Sequence, residues 1–299
     1  MSLNQVLLIG ACGNLGTLVL KHLLSSPFAF RVTVLTRASS VNSHVFPPSV
    51  RVITVSDDYP VDEVREAFQD IDVVIAAVSM TAMHHQYKLI DAAVAAGVKR
   101  YFPTEFGLDS IPDWLLELRP MFRTKHDVRD YLITKEKVGL SWTSIVCNVF
   151  FEMGIKSGFF GFLWDEKKAV LIDGGGSEWP ATTLETVAIA MVRAIEKSED
   201  TKNKVLLIQD FPCSQKEILQ AIRNITGDRW TVENRVYEEW LDEAKNEVRS
   251  GDNKALTKLT FASVLETASD WESRPEYANR MLALPTKSFE VAIAEALKK

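Results

Sequence analysis

A short apolar run, Val6-Leu7-Leu8-Ile9, stops at three glycines set at a three-residue spacing, Gly10, Gly13 and Gly16. Apolar residues at helical spacing resume at once in Thr17-Leu18-Val19-Leu20-Lys21-His22-Leu23-Leu24. Strand, glycine turn and helix in that order place an anion at a helix N-terminus, where unpaired N–H groups and the positive end of the helix dipole meet negative charge. Glycine serves there as a tight turn, as a close approach of backbone to phosphate, and as close packing of helix on strand. The triplet alone leaves two readings open, a dinucleotide site or a purely structural turn.

The next stretches keep the same rhythm. Arg31–Thr36 and Val50–Val55 are β-branched runs, and Asp72–Ala77 is nearly all apolar, as a strand covered on both faces must be. Further strands are predicted at Arg100–Pro103 and Trp142–Val146, with helical stretches at 17–25, 61–69 and 84–96. Such alternation implies right-handed crossovers and an α/β fold, a Rossmann-type doubly wound parallel sheet with helices on both faces. After about residue 150 the rhythm changes. Aromatic residues cluster at Phe150-Phe151, Phe159-Phe160 and Phe162-Leu163-Trp164. Helices are predicted over Leu184–Ile195 and over Ser214–Thr226, the second N-capped by Ser214 with Glu217 as its box partner, and one more strand over Lys204–Ile208. Tyr237–Leu297 reads as helical, with breaks at Pro275 and Pro285. We therefore expect an NAD(P)-binding Rossmann domain over 1–150. Residues 151–299 form a smaller, mainly helical substrate-binding part, interleaved with the sheet and not independent.

Composition narrows the function. A net charge of -6 over 299 residues, without a block of like charges, argues against nucleic acid as a partner. Three widely spaced cysteines, Cys12, Cys147 and Cys213, suit a reducing compartment better than a disulfide framework. Neither a basic leader nor a run apolar enough to span a bilayer is seen, so no membrane association and a cytoplasmic location are expected. His84-His85 and the distant His126 do not give metal-ligand spacing, so no metal is expected.

Individual residues then suggest chemistry. Arg37 follows the second strand, where an acidic residue would bind the 2′-OH of NAD and an arginine the 2′-phosphate of NADP. Here an arginine stands there with Ser39 and Ser40 beside it and no carboxylate, so NADP is favoured unless Arg37 is simply a solvated loop residue. Small residues at Val78-Ser79 would let the nicotinamide half pass. The segment Phe102-Pro103-Thr104-Glu105-Phe106-Gly107 follows a strand end, where ligands bind in such folds and where plain turns also occur. Lys125 shares a helix face with Val128 and Leu132, so it lies at the buried stripe, either as an acid/base group or as a snorkelling surface lysine. Tyr131 and Lys135 make a Tyr-x-x-x-Lys match, the dehydrogenase acid/base spacing, without its upstream serine, since position 118 is leucine.

Taken in order, several of these pieces resemble one family. Gly10-Ala11-Cys12-Gly13-Asn14-Leu15-Gly16, Arg37, Gln86, Lys99-Arg100-Tyr101-Phe102-Pro103-Thr104-Glu105-Phe106-Gly107, Lys125 and Trp142-Thr143…Asn148-Val149-Phe150 resemble the NmrA-like branch of the atypical short-chain dehydrogenases. The likeness is greatest to the isoflavone reductase and phenylcoumaran benzylic ether reductase group and its fungal relatives, and runs from residue 5 to about 165. Of the family's Lys-Arg-Phe-x-Pro-Ser-Glu-Phe-Gly element, Tyr101 and Thr104 are the visible departures. The resemblance implies an extended Rossmann fold, NADPH as hydride donor, and a lysine acid/base residue, which falls on Lys125. It implies cofactor contacts at Gly10, Cys12, Gly13, Asn14, Leu15, Gly16, Arg37, Ala77, Val78, Gln86, Thr104, Phe106 and Lys125. Substrate contacts fall on Asn148, Phe150 and Phe151. Plant members tend to carry a lysine soon after the arginine; residues 38–50 hold none, only His44, so selectivity for NADP would rest on Arg37 with Ser39 or Ser40.

Two functions follow from the resemblance. One is an NADPH-dependent reductase of a small aromatic or secondary-metabolite substrate, acting as monomer or homodimer, with Lys125 protonating the oxygen that gains charge. The other is an NmrA-type, non-enzymatic NADP sensor that acts through a protein partner. The aromatic residues from Phe150 to Trp164 serve as pocket walls or as core.

Overall fold

The computed structural model describes residues 3–40 and 45–298; His44 lies outside them. Seven parallel strands make the central sheet: β1 (Gln5–Ile9), β2 (Arg31–Arg37), β3 (Arg51–Val55), β4 (Val73–Ala76), β5 (Arg100–Phe102), β6 (Ser141–Val146) and, from the second half of the chain, Lys204–Leu207. Their spatial order, beginning with the late strand, is followed by β6, β5, β4, β1, β2 and β3. The strand order reverses between β1 and β4, the crevice where doubly wound sheets bind ligands beyond their strand ends.

Alternation along each strand builds two cores. Val6 and Leu8 of β1 and Val73 and Ile75 of β4 face one layer, with α1 (Asn14–Ser25). Leu7, Ile9, Val74 and Ala76 face the other, with α2 (Val61–Ala67), α3 (Gln86–Ala96) and, beyond α4 (Asp113–Leu118), α5 (Thr124–Lys135). Each fully buried Val, Leu or Ile stabilises by about 1.5–3 kcal/mol, so the sheet is a rigid platform for what its ends carry. At its lower end Arg100 is 2% exposed and donates to Ser141, Thr143, Thr201 and the carbonyl of Ser198, which stitches β5 to β6 and to the chain entering the last strand.

The second half carries more strand than its pattern suggests. After β7 (Val149–Phe150) and α6 (Phe151–Ser157) come β8 (Phe162–Leu163), β9 (Lys168–Ile172), β10 (Glu178–Thr182), α7 (Leu184–Glu196) and β11 (Lys204–Leu207). Then follow β12 (Phe211–Ser214), α8 (Gln215–Thr226), β13 (Thr231–Arg235), α9 (Tyr237–Arg249), α10 (Leu256–Glu266) and α11 (Phe289–Ala296). Helix α7 packs on α1, and the sheets β12-β10-β7 and β13-β9-β8 are three-stranded. Ser214 and Glu217 form the expected reciprocal cap of α8. The helical reading of 237–297 fails between α10 and α11. There the chain lies along the sheet edge instead: Leu207 donates to the carbonyl of Glu276, and Ala278 to that of Leu207. An uncovered edge strand is a liability, and Pro275 and Pro285 break any helix that would leave it open.

Among the described residues, no helix is long and apolar enough to cross a membrane, and Cys12, Cys147 and Cys213 are all free thiols.

Candidate active site

The turn after β1 is built by exclusion of side chains. Gly10 has φ +85°, and a Cβ on it would lie 2.1 Å from the carbonyl oxygen of Ala77. On Gly16 a Cβ would meet the Gly10 carbonyl oxygen at 2.0 Å. Neither position accepts any other residue without moving backbone. Gly13 has a looser demand: it is exposed, N-caps α1 and donates to Gly10 at 3.0 Å. No side chain caps α1 and no acidic residue lies in its first turn, so its amides and dipole are open to an anion. Cys12 is half-buried and lines the cleft, while Asn14 is exposed beside it. Leu15 instead buries its side chain in the core with Val19, so only its backbone can serve a ligand.

A cleft of about 290 Å³ runs from this turn past Ala77, Val78 and Ser79 to Arg37, Ser40 and Tyr59. Arg37 ends β2 and is exposed at the cleft wall. Because β2 and β3 are parallel neighbours, the chain leaving β3 arrives at the same rim and brings a carboxylate that the local sequence around Arg37 does not show. Asp57 accepts from the backbone N–H of Ser39 at 3.1 Å. That bond and the Ser39 hydroxyl, with Arg37 nearby, hold its pKa below the usual carboxylate value.

Behind the cleft, one hydrogen-bond chain fastens two strand ends. Thr104 donates its hydroxyl to the Ala76 carbonyl at 2.8 Å, accepts from the Val78 N–H at 3.0 Å, and donates its own N–H to Gln86 Oε1 at 2.8 Å. Gln86 is fully buried, with its Nε2 on the sulfur of Met83. These two residues therefore position Ala77 and Val78 rather than face the cleft themselves.

Beyond that fastener lies Lys125, in the first turn of α5. Val128 and Leu132 anchor the helix in the core, which turns the lysine inward. Its Nζ donates to the carbonyl oxygen of Phe106 at 3.0 Å. Gly107 lies against it so closely that a Cβ there would sit 2.7 Å from Nζ. Phe106 itself is buried and contributes that carbonyl. Burial pushes the Lys125 pKa below the usual lysine value, against Cys147 and Glu105, which favour the charged form. Asn148 closes the loop: its N–H donates to the Gly107 carbonyl at 2.9 Å, its φ is +56°, and its Oδ1 is buried without a partner. A buried acceptor left open costs about 1–3 kcal/mol, so this atom is suited to a donor brought by a ligand.

Residues 2–248 match the NmrA-like family. The chain belongs to that family. Oxidoreductase aprR of Aspergillus flavus is 36% identical over 297 residues, 98% of this chain and 99% of that protein. The phenylcoumaran benzylic ether reductase TP7 of Nicotiana tabacum is 27% identical over 223 residues, 69% of this chain and 68% of its own length. Among solved structures, AtPrR2 with NADP+ and (+)pinoresinol superposes with a TM-score of 0.77 at 17% identity, covering 99% of this chain and 100% of that one.

In this NmrA-like chain some expected site residues stand elsewhere. Phe151 has no exposed surface and packs on Phe160, Phe211 and Phe289 with ring centroids 6.4, 5.1 and 5.9 Å away. It is core, as are Phe160 and Phe162, because α6 turns its apolar face into the second half's aromatic cluster. Phe150, half-buried one residue earlier, stays at the sheet end. Tyr131 and Lys135 are spent on α3: Tyr131 donates to Asp91 at 2.7 Å and Lys135 pairs with Asp91 at 2.8 Å. The rings of His84 and His85 lie against each other at a tilt of 41°, centroids 3.9 Å apart. Among the described residues no three His, Cys, Asp or Glu gather as metal ligands.

Sequence reasoning missed Glu105 as a chemical group. It is fully buried; Ser144 donates to its Oε2, and Arg129 Nη1 lies 2.8 Å from Oε1, off the axis of a hydrogen bond. Burial pushes its pKa up to about 7, against the pull of Arg129 and Lys125. The signal was present in the element 99–107, a carboxylate between Thr104 and Phe106 just past a strand end. Cys147, also fully buried, has its thiol pushed up to about 12 by burial and is no nucleophile at neutral pH.

Proposed function

We propose that the protein is an NADPH-dependent reductase of a small aromatic or conjugated substrate, an atypical short-chain dehydrogenase in which Lys125 is the general acid. The observation that carries the reading is the partly desolvated Lys125 ammonium, held by the Phe106 carbonyl just past Thr104, whose hydroxyl fixes Val78 at the wall of the cleft that begins at Gly10. The glycine turn fits a pyrophosphate, since Gly10 and Gly16 let the backbone of the turn close against Ala77 and α1 while the first-turn amides of α1 stay uncapped. Gly13 and the amides at Asn14 and Leu15 would hold the pyrophosphate, Arg37 with Ser39 or Ser40 the 2′-phosphate, and Ala77 and Val78 the passage to the nicotinamide. NADPH, when bound, supplies a hydride to an electrophilic carbon.

The chain's residues do the rest. Lys125 gives a proton from Nζ to the substrate oxygen that gains charge, and burial lowers the cost of that release. Asn148 Oδ1, buried without a partner, would accept a hydrogen bond from a substrate hydroxyl. Phe150, half-buried beside it, supplies an apolar wall. Residues 151–299 cover the sheet end and select the substrate. NADP-bound and reductase relatives support this reading.

NADPH consumption against aromatic ketones, enones and benzylic ethers tests it. Wild type is expected to turn over at least one class, with Lys125→Ala slower by roughly 10²–10⁴-fold, the usual weight of a positioned general acid. Tight NADPH binding with no turnover across the panel would instead favour a sensor that works through a protein partner.

A further inference from the structure

Glu105 occupies an odd place for a carboxyl. Its loop, Glu105-Phe106-Gly107, presents the Phe106 carbonyl and the Gly107 backbone to the Lys125 ammonium, while the Glu105 side chain turns inward and is sealed from solvent. Burying a carboxylate costs several kcal/mol even where it is paired; here one oxygen accepts from Ser144 and the other lies in an ion pair with Arg129 at 2.8 Å. A strut between β5, β6 and α5 needs no ion pair, because apolar residues of similar volume in place of both partners would fill the same space at no loss of stability.

We propose that Glu105 is the positioning residue of Lys125: its carboxylate, sealed under the loop that cradles the ammonium, holds the lysine's charge and so sets the pH range over which Lys125 releases its proton. The inference rests on the reading of Lys125 as the acid. The groups that face the pair are few. From α5 come Arg129 and Asp130 toward Glu105, from its own loop Asp109, from β6 Ser144, and from just beyond β6 Cys147 toward Lys125. Below about pH 7 Glu105 is protonated and gives the lysine no negative neighbour; above it the carboxylate holds the ammonium charged. The two groups therefore titrate as a coupled pair.

Lys125 can be read without any substrate. The full-length chain is pulse-labelled with acetic anhydride across a range of pH, and the modified fraction of the Lys125 peptide is measured by mass spectrometry. Wild type should show a reactivity curve with an inflection near pH 7 and a midpoint set by the carboxylate. Glu105→Gln should lose the inflection and move the midpoint down by about one pH unit, a tenfold gain in labelling rate on the rising limb. Glu105→Asp should restore part of the shift. Ser144→Ala keeps the carboxyl but removes a donor to it, and should move the inflection to higher pH; this variant carries the test if Glu105→Gln does not fold. Identical labelling curves in wild type, Glu105→Gln and Ser144→Ala overturn the proposal and leave Glu105 a strut. If no substrate is ever reduced yet the curves shift, the reductase reading fails and the coupling stands. Turnover with unshifted curves has the opposite meaning.

Discussion

The glycine turn at the cleft and the surroundings of Lys125 are built from different materials. At the phosphate end the work is done by backbone: Gly10, Gly13 and Gly16 clear space, and the first turn of α1 offers uncapped amides. At the lysine end it is done by side chains from three separate elements, with Lys125 from α5, Glu105 from the loop after β5, and Ser144 and Asn148 from β6 and its exit. The first end rests on backbone geometry, with Cys12 as the titratable side chain of the turn; the second is a small network of buried polar and charged groups. A site made of backbone is specified by residues next to one another in the chain. One made of converging side chains is specified only once the sheet has aligned its strand ends.

The largest effects should separate the two ends cleanly. Gly16→Val forces a side chain into the Gly10 carbonyl and should abolish NADPH binding, at a stability cost of about 1–3 kcal/mol or more from overpacking. Lys125→Ala should leave the NADPH dissociation constant within a few-fold while kcat falls roughly 10²–10⁴-fold. Isothermal titration and steady-state kinetics on both chains check this. Loss of cofactor affinity in Lys125→Ala would mean that the two ends are one site and not two.

Legibility in the sequence follows the same division. The glycine turn, the alternation of strands with helices and the doubly wound fold could be read because each depends on a local pattern: unbroken apolar runs in β1 and β4, helical period in α1, a cap at Ser214. Lys125 was visible as an inward lysine on an apolar stripe, yet its environment was not. Glu105 read as part of a turn because nothing near it in sequence reveals Arg129 or Ser144, which arrive from α5 and β6. Asp57 was missed beside Arg37 for the same reason, since it reaches that rim through β2–β3 pairing. Phe151 failed in the opposite sense. An aromatic cluster looks alike in sequence whether it lines a pocket or fills a core, and only the packing of α6 on Phe211 and Phe289 decides. The strands β9, β10, β12 and β13 are short and lie among helices, where four or five residues carry too little period to be read.

A middle-sized effect probes the contact between loop and lysine. Gly107→Ala places a methyl 2.7 Å from Nζ and 3.3 Å from the Glu105 carbonyl oxygen, so the flexible lysine end must move and the backbone must give by only a few tenths of an ångström. We expect kcat to fall about tenfold, the cost of a small misplacement of an acid, with cofactor binding unchanged. Wild-type kinetics in this variant would show that the lysine tolerates a range of positions.

Arg37→Ala should act only at the other end, and less. Arg37 is exposed, so its pairing with a 2′-phosphate is screened by solvent and salt. Selectivity for NADPH over NADH is expected to drop by about tenfold at low ionic strength and by less at high salt, since a single charge-assisted contact contributes on the order of 1.5–3 kcal/mol before screening. Asp57 remains beside the vacated position and disfavours phosphate, so the residual preference should be small. An unchanged preference in parallel NADPH and NADH titrations would remove Arg37 from the cofactor site.

The smallest effect distinguishes the charged end from the backbone end by stability alone. Glu105 ionises near 7 in the folded chain against an ordinary value of 4.5. Between those two values the unfolded chain has released a proton that the folded chain still holds. Stability therefore falls as pH rises through that window and levels off above the folded pKa. Glutamine has no proton to lose. Glu105→Gln also leaves Ser144 and Arg129 without their carboxylate, which lowers its melting temperature by an amount that does not vary with Glu105 titration. The difference in melting temperature, variant minus wild type, should consequently rise between about pH 5 and about pH 8 and then flatten. The same comparison at Gly13, with Ala in its place, should be level across that range, because no titrating group is involved there. A level line for Glu105→Gln as well would mean that the carboxyl ionises in the ordinary range despite its burial, and the lysine end would then be no more pH-sensitive than the glycine turn.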